Sequence, residues 1–132
     1  MKLRLADPSA IKSKAAEITR IGASVNDPNL YRRIEEACLK KQAFLFVSQE
    51  CFVILKPTAG PGVLVWIAQT YKAVDRLGYL YEMERFARDI SAKHLTFWSN
   101  RKGFSKIIPQ YGFVAKPAEW MGSPITVWTK KL

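Results

Sequence analysis

The segment from His94 to Phe113 constrains the fold more than any other part of the chain. It begins with a short apolar strand, turns at a polar corner that includes Asn100, continues as a basic helix from Arg101 to Ile108, and ends with Gly112-Phe113 at the start of another strand. A strand, a helix and a second strand in this order are typical of a sheet that carries helices on its faces. The segment therefore predicts an α/β fold.

The rest of the chain alternates between helix and strand signals. Asp7-Pro8 and Asp27-Pro28 are helix start signals, because Asp caps a helix and Pro fits its first position. The run Val63–Ala68 is apolar on both faces, as in a central strand. Further strands are predicted over residues 2–6, 43–47, 51–55, 95–98, 113–121 and 125–131, and the longest helix over residues 75–93.

The predicted order is β-α-α-β-β-β-α-β-α-β-β, in one domain that spans residues 1–132. Strands outnumber crossover helices, so we expect a mixed sheet with helices on both faces. A right-handed crossover through the long helix makes Leu95–Trp98 the parallel neighbour of Val63–Ala68.

The formal net charge of +10 is the strongest compositional signal. It favours an anionic partner, which could be nucleic acid, a phosphate-bearing cofactor or an acidic protein surface. A highly soluble basic surface is the alternative, because the basic residues are spread along the chain. We expect no bound metal, since the chain has one His and its two Cys lack metal-ligand spacing. The sequence shows neither a secretion signal nor an apolar run long enough to span a bilayer, so no membrane partner is expected.

The element order resembles that of the GNAT family, the Gcn5-related N-acetyltransferases. Asn100, followed by a short helix and then Tyr111-Gly112-Phe113, is similar to the Asn…Gly-Phe ending of that family. The resemblance covers nearly the whole chain in order and length. The short, basic form also resembles GNAT-like proteins encoded by bacteriophages.

The resemblance implies a site for acetyl-CoA between two parallel strands that splay apart. Its pantetheine arm would bind the backbone of Trp66, Ile67 and Ala68, and Asn100 would contact the same arm. Alternatively, Asn100 only caps the helix that begins at Arg101.

The loop before the long helix departs from the family pattern for binding pyrophosphate. Gln69 matches the first position, but the two glycines are replaced by Lys72 and Val74. Lys72 and Arg76 could replace some of the lost amide contacts by charge, whereas Asp75 opposes phosphate binding.

The resemblance also fails at the usual proton donor. The family often has a Tyr four residues before the Gly of Gly-Phe, and here that position is Ile108. Tyr111, Glu50 and His94 are weaker candidates for proton transfer, and a structural role is favoured for each. Some members of the family act by positioning alone, so the catalytic residues stay unassigned.

Three functions follow from these observations. The first is a GNAT-fold protein with lost or altered N-acyltransferase activity that acts as a binding or structural module, for example with phage or host proteins. The second is an active acyl-CoA-dependent N-acyltransferase. The third is nucleic-acid binding through Arg101, Lys102 and Lys106, next to aromatic side chains that could stack on bases. The expected location is the host cytoplasm or the virion.

Overall fold

The computed structural model describes residues 3–71, 76–99, 111–120 and 122–132. Within these residues, a 3₁₀ helix over Pro8–Lys14 precedes three α-helices: α1 (Ala15–Ser24), α2 (Leu30–Leu39) and α3 (Arg76–Asp89). The strands are β1 (Arg4–Leu5), β2 (Phe44–Val47), β3 (Cys51–Thr58), β4 (Gly62–Thr70), β5 (His94–Ser99), β6 (Phe113–Trp120) and β7 (Ser123–Lys131).

The strands form one seven-stranded sheet in the order β1-β2-β3-β4-β5-β7-β6. Neighbouring strands are antiparallel except for β4 and β5, which are parallel and are connected through α3. The predicted mixed sheet is thus confirmed, as is the parallel pairing of the central strand with the strand that follows the long helix. The predicted helix over residues 101–108 lies outside the described residues.

Alternate residues of the central strands face two separate apolar cores. Phe52 and Ile54 of β3 contribute to a core beneath α1 and α2, while Val53 and Leu55 contribute to a core beneath α3. This alternation is the normal consequence of the two-residue period of a strand. Helices therefore lie on both faces of the sheet, as predicted.

We call the first cluster the α1/α2 core and the second the α3 core. The buried members of the α1/α2 core are Ile11, Ile18, Leu30, Ile34, Ala37, Cys38, Ala43, Leu45, Phe52, Ile54 and Ile67. Those of the α3 core are Val53, Leu55, Val63, Val65, Met83, Ala87, Ala92, Leu95, Phe113 and Trp128.

The two helix start signals have different outcomes. Asp7 caps the 3₁₀ helix as predicted, because its side chain accepts a hydrogen bond from the Ser9 backbone N–H. Asp27 does not precede its helix directly, since α2 begins only at Leu30. Instead the Asp27 carboxylate is buried and forms an ion pair with Arg33 of α2. This pair holds the α1–α2 loop against the second helix.

Glu84 joins α3 to the sheet through a buried carboxylate. Its Oε1 atom lies 2.9 Å from Lys130 Nζ of β7 and 3.0 Å from Arg88 Nη2 of α3. Burial alone would raise the pKa of Glu84, but the hydrogen bonds and positive charges of Lys130 and Arg88 hold it below the ordinary value of 4.5. The ionised carboxylate therefore stabilises the folded state.

We expect the Glu84→Gln substitution to lower the free energy of unfolding at pH 7 by about 1–2 kcal/mol, because charge-assisted hydrogen bonds are lost. The folded-state pKa is depressed, so the contribution of Glu84 is present above the unfolded-state pKa and is lost as pH falls through the folded-state value. Urea unfolding between pH 3 and pH 7 tests this. The wild type should lose stability below pH 4.5 more steeply than the variant, and parallel curves would contradict the prediction.

Pairing between the first residues of β4 and β5 requires a glycine at position 62. Gly62 is the register partner of His94, and a Cβ atom at position 62 would lie 2.2 Å from His94 Nε2. The imidazole thus occupies the space that a side chain at this position would need. The His94 side chain therefore has a packing role in the sheet.

We expect Gly62→Ala to destabilise the fold by about 1–3 kcal/mol, because either the imidazole or the strand must move. In a background that carries His94→Ala, the same change should cost clearly less. A double-mutant cycle in urea measures the coupling between the two positions. Additive effects of the two substitutions would show that the imidazole is not the obstacle.

Candidate functional site

The parallel strands β4 and β5 separate at the centre of the sheet. Their register pairs run from Gly62/His94 to Val65/Phe97, which is four residues on each strand. Beyond this point β4 continues to Thr70 alongside β3, while β5 continues to Ser99 alongside β7. A gap therefore opens between the carboxyl-terminal halves of the two parallel strands.

A β-bulge in β4 lies at the point of separation. Ile54 of β3 pairs with Ile67, but the next residue, Leu55, pairs with Val65, so Trp66 is the extra residue. A bulge bends its strand and increases its twist. The bulge coincides with the last β4–β5 register pair, so we infer that the bend at Trp66 separates the two strands.

The predicted cofactor-binding residues of β4 follow the bulge directly. Trp66 is partly buried against the α1/α2 core, with Lys56 Nζ 4.8 Å from the ring centroid. Ile67 is buried in that core, and Ala68 is exposed. Ala68 is opposite Val53, a member of the α3 core, so its small side chain points to the α3 face. The gap is thus bordered on that face by a methyl group.

Gln69 is partly buried near the end of β4, and Arg76 is the first residue of α3. Both therefore lie on the connection that the sequence predicts to hold phosphate. Five other predicted contact residues lie outside the described part of the chain, and their assignments stay predictions. They are Lys72, Asn100, Arg101, Lys102 and Lys106.

A hydrogen-bonded cluster connects α3 to the β2–β3 turn beside the end of β4. The Tyr79 hydroxyl lies 2.9 Å from Ser48 Oγ, and Ser48 Oγ accepts the backbone N–H groups of Glu50 and Cys51. Tyr79 is almost fully buried, and burial raises the pKa of its hydroxyl. The group is therefore a stable hydrogen-bonding partner and fixes the start of α3 relative to β3.

The remaining candidates for proton transfer lie at different ends of the sheet. His94 packs over Gly60 and Gly62 at the paired end of β5. Tyr111 packs against the α3 core, just before Phe113, which begins β6 at the same end. Glu50 lies at the other end, where its backbone carbonyl accepts a hydrogen bond from Tyr71. Of these three residues, only Glu50 is near the open end of the gap.

Two aromatic pairs lie at the carboxyl ends of β4 and β5. Tyr71 packs against Phe52 with a centroid distance of 6.3 Å, and Trp98 packs against Trp120 at 5.0 Å. Arg33 of α2 lies over the Trp120 ring, with its Cζ atom 5.6 Å from the centroid. Each exposed ring thus rests on a second ring on its own side of the gap.

Two further observations concern binding partners. Among the residues that the structure describes, no cluster of His, Cys, Asp or Glu has the composition to hold a metal ion. Within the same residues, no helix is both long and apolar enough to cross a membrane.

Sequence reasoning missed the bulge, the Ser48–Tyr79 contact and the Arg33–Trp120 contact. The bulge has no composition signal, because Trp66 lies within a continuous apolar run. The other two contacts join residues 31 positions apart and residues from opposite ends of the chain. Only the folded structure brings them together.

Neither the protein-family models nor the curated proteins contain a match to this chain. Solved structures do match. An IAA acetyltransferase from Bacillus cereus ATCC 14579 has a TM-score of 0.68 at 13% identity, covering 99% of both chains. A GNAT-family acetyltransferase from Listeria monocytogenes 4b F2365 has a TM-score of 0.67 at 12% identity, covering 99% of this chain and 94% of the other.

A third structure contains the expected ligand. It is a GNAT-family acetyltransferase from Elizabethkingia anophelis with acetyl-CoA bound, with a TM-score of 0.59 at 14% identity, covering 76% of this chain and 82% of the other. The chain therefore has the fold of the GNAT acetyltransferases, as its sequence predicts.

We expect Tyr79→Phe to lower the free energy of unfolding by about 1 kcal/mol, because a buried hydrogen bond to Ser48 is lost. Ser48→Ala should cost at least as much, since it also removes the acceptor for two backbone N–H groups. Urea unfolding of both variants and of the double variant tests the contact. If the double variant showed the full sum of the two losses, the hydroxyl groups would not be coupled.

Proposed function

We propose that this protein binds acetyl-CoA in the gap between β4 and β5 and transfers its acyl group to an amine. The observation that carries the proposal is the separation of the two strands at the Trp66 bulge. The register pairs between β4 and the described part of β5 end at Val65 and Phe97, whereas β4 continues beside β3 to Thr70. Backbone N–H and C=O groups at the edge of a strand can bind an extended amide-containing arm as a strand would.

The phosphate groups would bind beside the start of α3. That helix begins at Arg76, shortly after β4 ends at Thr70. The amino terminus of a helix carries positive potential and free N–H groups, which favour phosphate. The Ser48–Tyr79 contact supports this site because it fixes the first turn of α3. A loop without the usual glycines should bind more weakly than one with them.

Acyl transfer requires that the acceptor nitrogen attack the thioester carbonyl carbon. The new C–N bond forms, the C–S bond breaks, the electron pair leaves with the sulfur as a thiolate, and the proton of the amine passes to solvent or to the thiolate. A thiol has a pKa of about 8.5, so the thiolate leaves near neutral pH without a strong acid. Holding the two reactants together then supplies much of the catalysis.

A non-catalytic binding module is the second candidate. It is favoured by the positions of His94 and Tyr111, which lie at the paired end of the sheet, away from the gap. In that case the protein would bind an anionic partner without catalysing a reaction. The partner would be, for example, a phage or host protein in the host cytoplasm or the virion. Binding of acetyl-CoA without acyl transfer to any amine would favour this alternative.

We expect acetyl-CoA to bind the wild type and the Ala68→Glu variant to lose at least tenfold in affinity. The new side chain would add bulk and negative charge to the gap, where an anionic ligand must pass. Isothermal titration calorimetry measures both affinities.

The Val114→Glu variant is the matched control, because Val114 is 72% exposed on β6, which does not border the gap. It introduces the same side chain on a strand and should bind as the wild type does. Absence of binding to the wild type at millimolar acetyl-CoA would contradict the proposed function. An equal loss in both variants would mean that net charge, and not the gap, determines affinity.

A further inference from the structure

The face of the sheet that carries α1 and α2 is covered only in part. Among the described residues, the α1/α2 core takes its buried strand members from β2, β3 and β4, and none from β5, β6 or β7. Those three strands contribute buried residues to the α3 core instead, namely Leu95, Phe113 and Trp128. Their other face is open, because Trp98 is 41% exposed and Val114 is 72% exposed. This part of the sheet is therefore accessible to a binding partner.

Register pairs arrange the side chains of this uncovered area in two rows. Residues opposite each other on neighbouring strands point to the same face, and both rows alternate with members of the α3 core, which point to the reverse face. The first row crosses five strands, through Lys56, Leu64, Thr96, Thr129 and Val114. The second row crosses three strands, through Trp98, Val127 and Lys116. We call these residues, together with Lys131 of β7, the open sheet face.

Trp98 gives the open sheet face an exposed ring that is held by its neighbours. It packs against Trp120 with 5.0 Å between the ring centroids. Arg33 of α2 lies 5.6 Å from the Trp120 centroid and forms an ion pair with the buried Asp27. Because Trp98 is held in this way, a flat ligand that stacks on it restricts few additional motions of the protein. Every nucleic-acid base has such a flat face, so stacking on an aromatic ring tolerates any base sequence.

The charged members of the open sheet face are all lysines. Lys56 and Lys116 lie on β3 and β6, on either side of β5, so Trp98 has a lysine on each flank. The strands β5, β6 and β7 contain one carboxylate, Glu119, which lies next to Trp120 and therefore points to the reverse face. Lysine ammonium groups bind phosphate oxygens through charge-assisted hydrogen bonds. A second copy of the chain fits this face poorly, because each copy has a net charge of +10.

We propose that the open sheet face binds single-stranded nucleic acid. A base would stack on Trp98, and the neighbouring phosphates would lie toward Lys116 on one side and Lys56 on the other. Because adjacent strands are about 4.8 Å apart, Lys116 lies about 10 Å from Trp98, close enough for one short segment of a nucleic-acid strand to contact both. Single strands fit better than duplexes, because unpaired bases can leave the stack and expose their faces. This binding does not depend on the proposed acyl transfer.

Fluorescence anisotropy with labelled oligonucleotides of about twelve nucleotides tests the proposal. Binding of oligothymidylate or oligouridylate supports it, and the ratio of the two affinities identifies the sugar that the protein prefers. An abasic oligonucleotide of the same length keeps the phosphates and lacks the bases, so we expect it to bind about tenfold more weakly. A duplex of the same length and poly-L-glutamate, which represents an acidic protein, should also bind more weakly than the single strands.

Substitutions of Trp98 locate the stacking site. Trp98→Leu should weaken binding of the single strand about tenfold, whereas Trp98→Phe should retain most of it because a ring remains. The abasic oligonucleotide should bind Trp98→Leu and the wild type equally, since it has no base to stack. Tyr81→Leu is the matched control, because Tyr81 is 62% exposed on α3, which packs on the reverse face. Circular dichroism verifies that each variant is folded.

A lysine substitution tests the position of the phosphates. Lys116→Gln should make the slope of log affinity against log salt concentration shallower by about 0.7, the value for one phosphate contact of a single strand. Lys12→Gln is the matched control, because Lys12 is exposed on the 3₁₀ helix, which packs against β2 on the far side of the sheet from β6. It should leave the slope unchanged.

A new negative charge on the open sheet face separates this site from the proposed acetyl-CoA site. Val114→Glu should weaken binding of the single strand about two- to fivefold by repulsion of the phosphates. It should still bind acetyl-CoA as the wild type does. Leu5→Glu is the matched control, because Leu5 is 62% exposed on β1, at the opposite edge of the sheet from β6.

Several results would overturn the nucleic-acid proposal. If the abasic oligonucleotide, the duplex or poly-L-glutamate bound as tightly as the single strands, charge alone or a different partner would explain the binding. Failure of every single strand to bind at low salt overturns the proposal, as does an unchanged affinity in folded Trp98→Leu. A wild-type dimer that Val114→Glu converts to a monomer would assign the open sheet face to contacts between copies and would also overturn it. None of these results bears on the acetyl-CoA site.

Discussion

The candidate site depends on one extra residue in β4. Before Trp66, the strand has partners on both sides, in β3 and β5; after it, the described pairing continues only with β3. A bulge changes the direction of a strand without ending it, so the sheet remains continuous while its centre opens. The same residue thus ends the pairing with β5 and begins the edge to which an extended ligand can bind.

The α3 core explains why the sheet does not separate further. Its members include Val63 and Val65 of β4, Leu95 of β5 and Trp128 of β7, so it crosses the junction between the two halves of the sheet. The α1/α2 core, in contrast, takes its buried strand residues from β2, β3 and β4 among the residues that the structure describes. Apolar packing on the α3 face therefore holds β4 and β5 together where the two strands are paired. It does not hold their carboxyl-terminal ends together.

Contacts between distant parts of the chain complete the surroundings of the gap. Arg33 of α2 reaches Trp120 near the tip of the β6–β7 hairpin, and Trp120 reaches Trp98 of β5. Lys14 makes a similar contact with Tyr71 at the end of β4. In both cases a cation from the helical layer meets a ring from the sheet. The aromatic border of the gap is thus supported by the helices.

The sequence by itself determined the order of the described elements, the mixed sheet and the parallel pairing of β4 with β5, because periodicity and the handedness of crossovers are local or topological rules. It also indicated the GNAT fold through Tyr111-Gly112-Phe113 and the strands around it. Tertiary structure alone decided the bulge at Trp66, the burial of Glu84, and the contacts of Tyr71 with Phe52 and of Trp98 with Trp120. Register and contacts between distant residues depend on how the whole sheet packs, and an apolar run has no signal that separates a bulged residue from its neighbours.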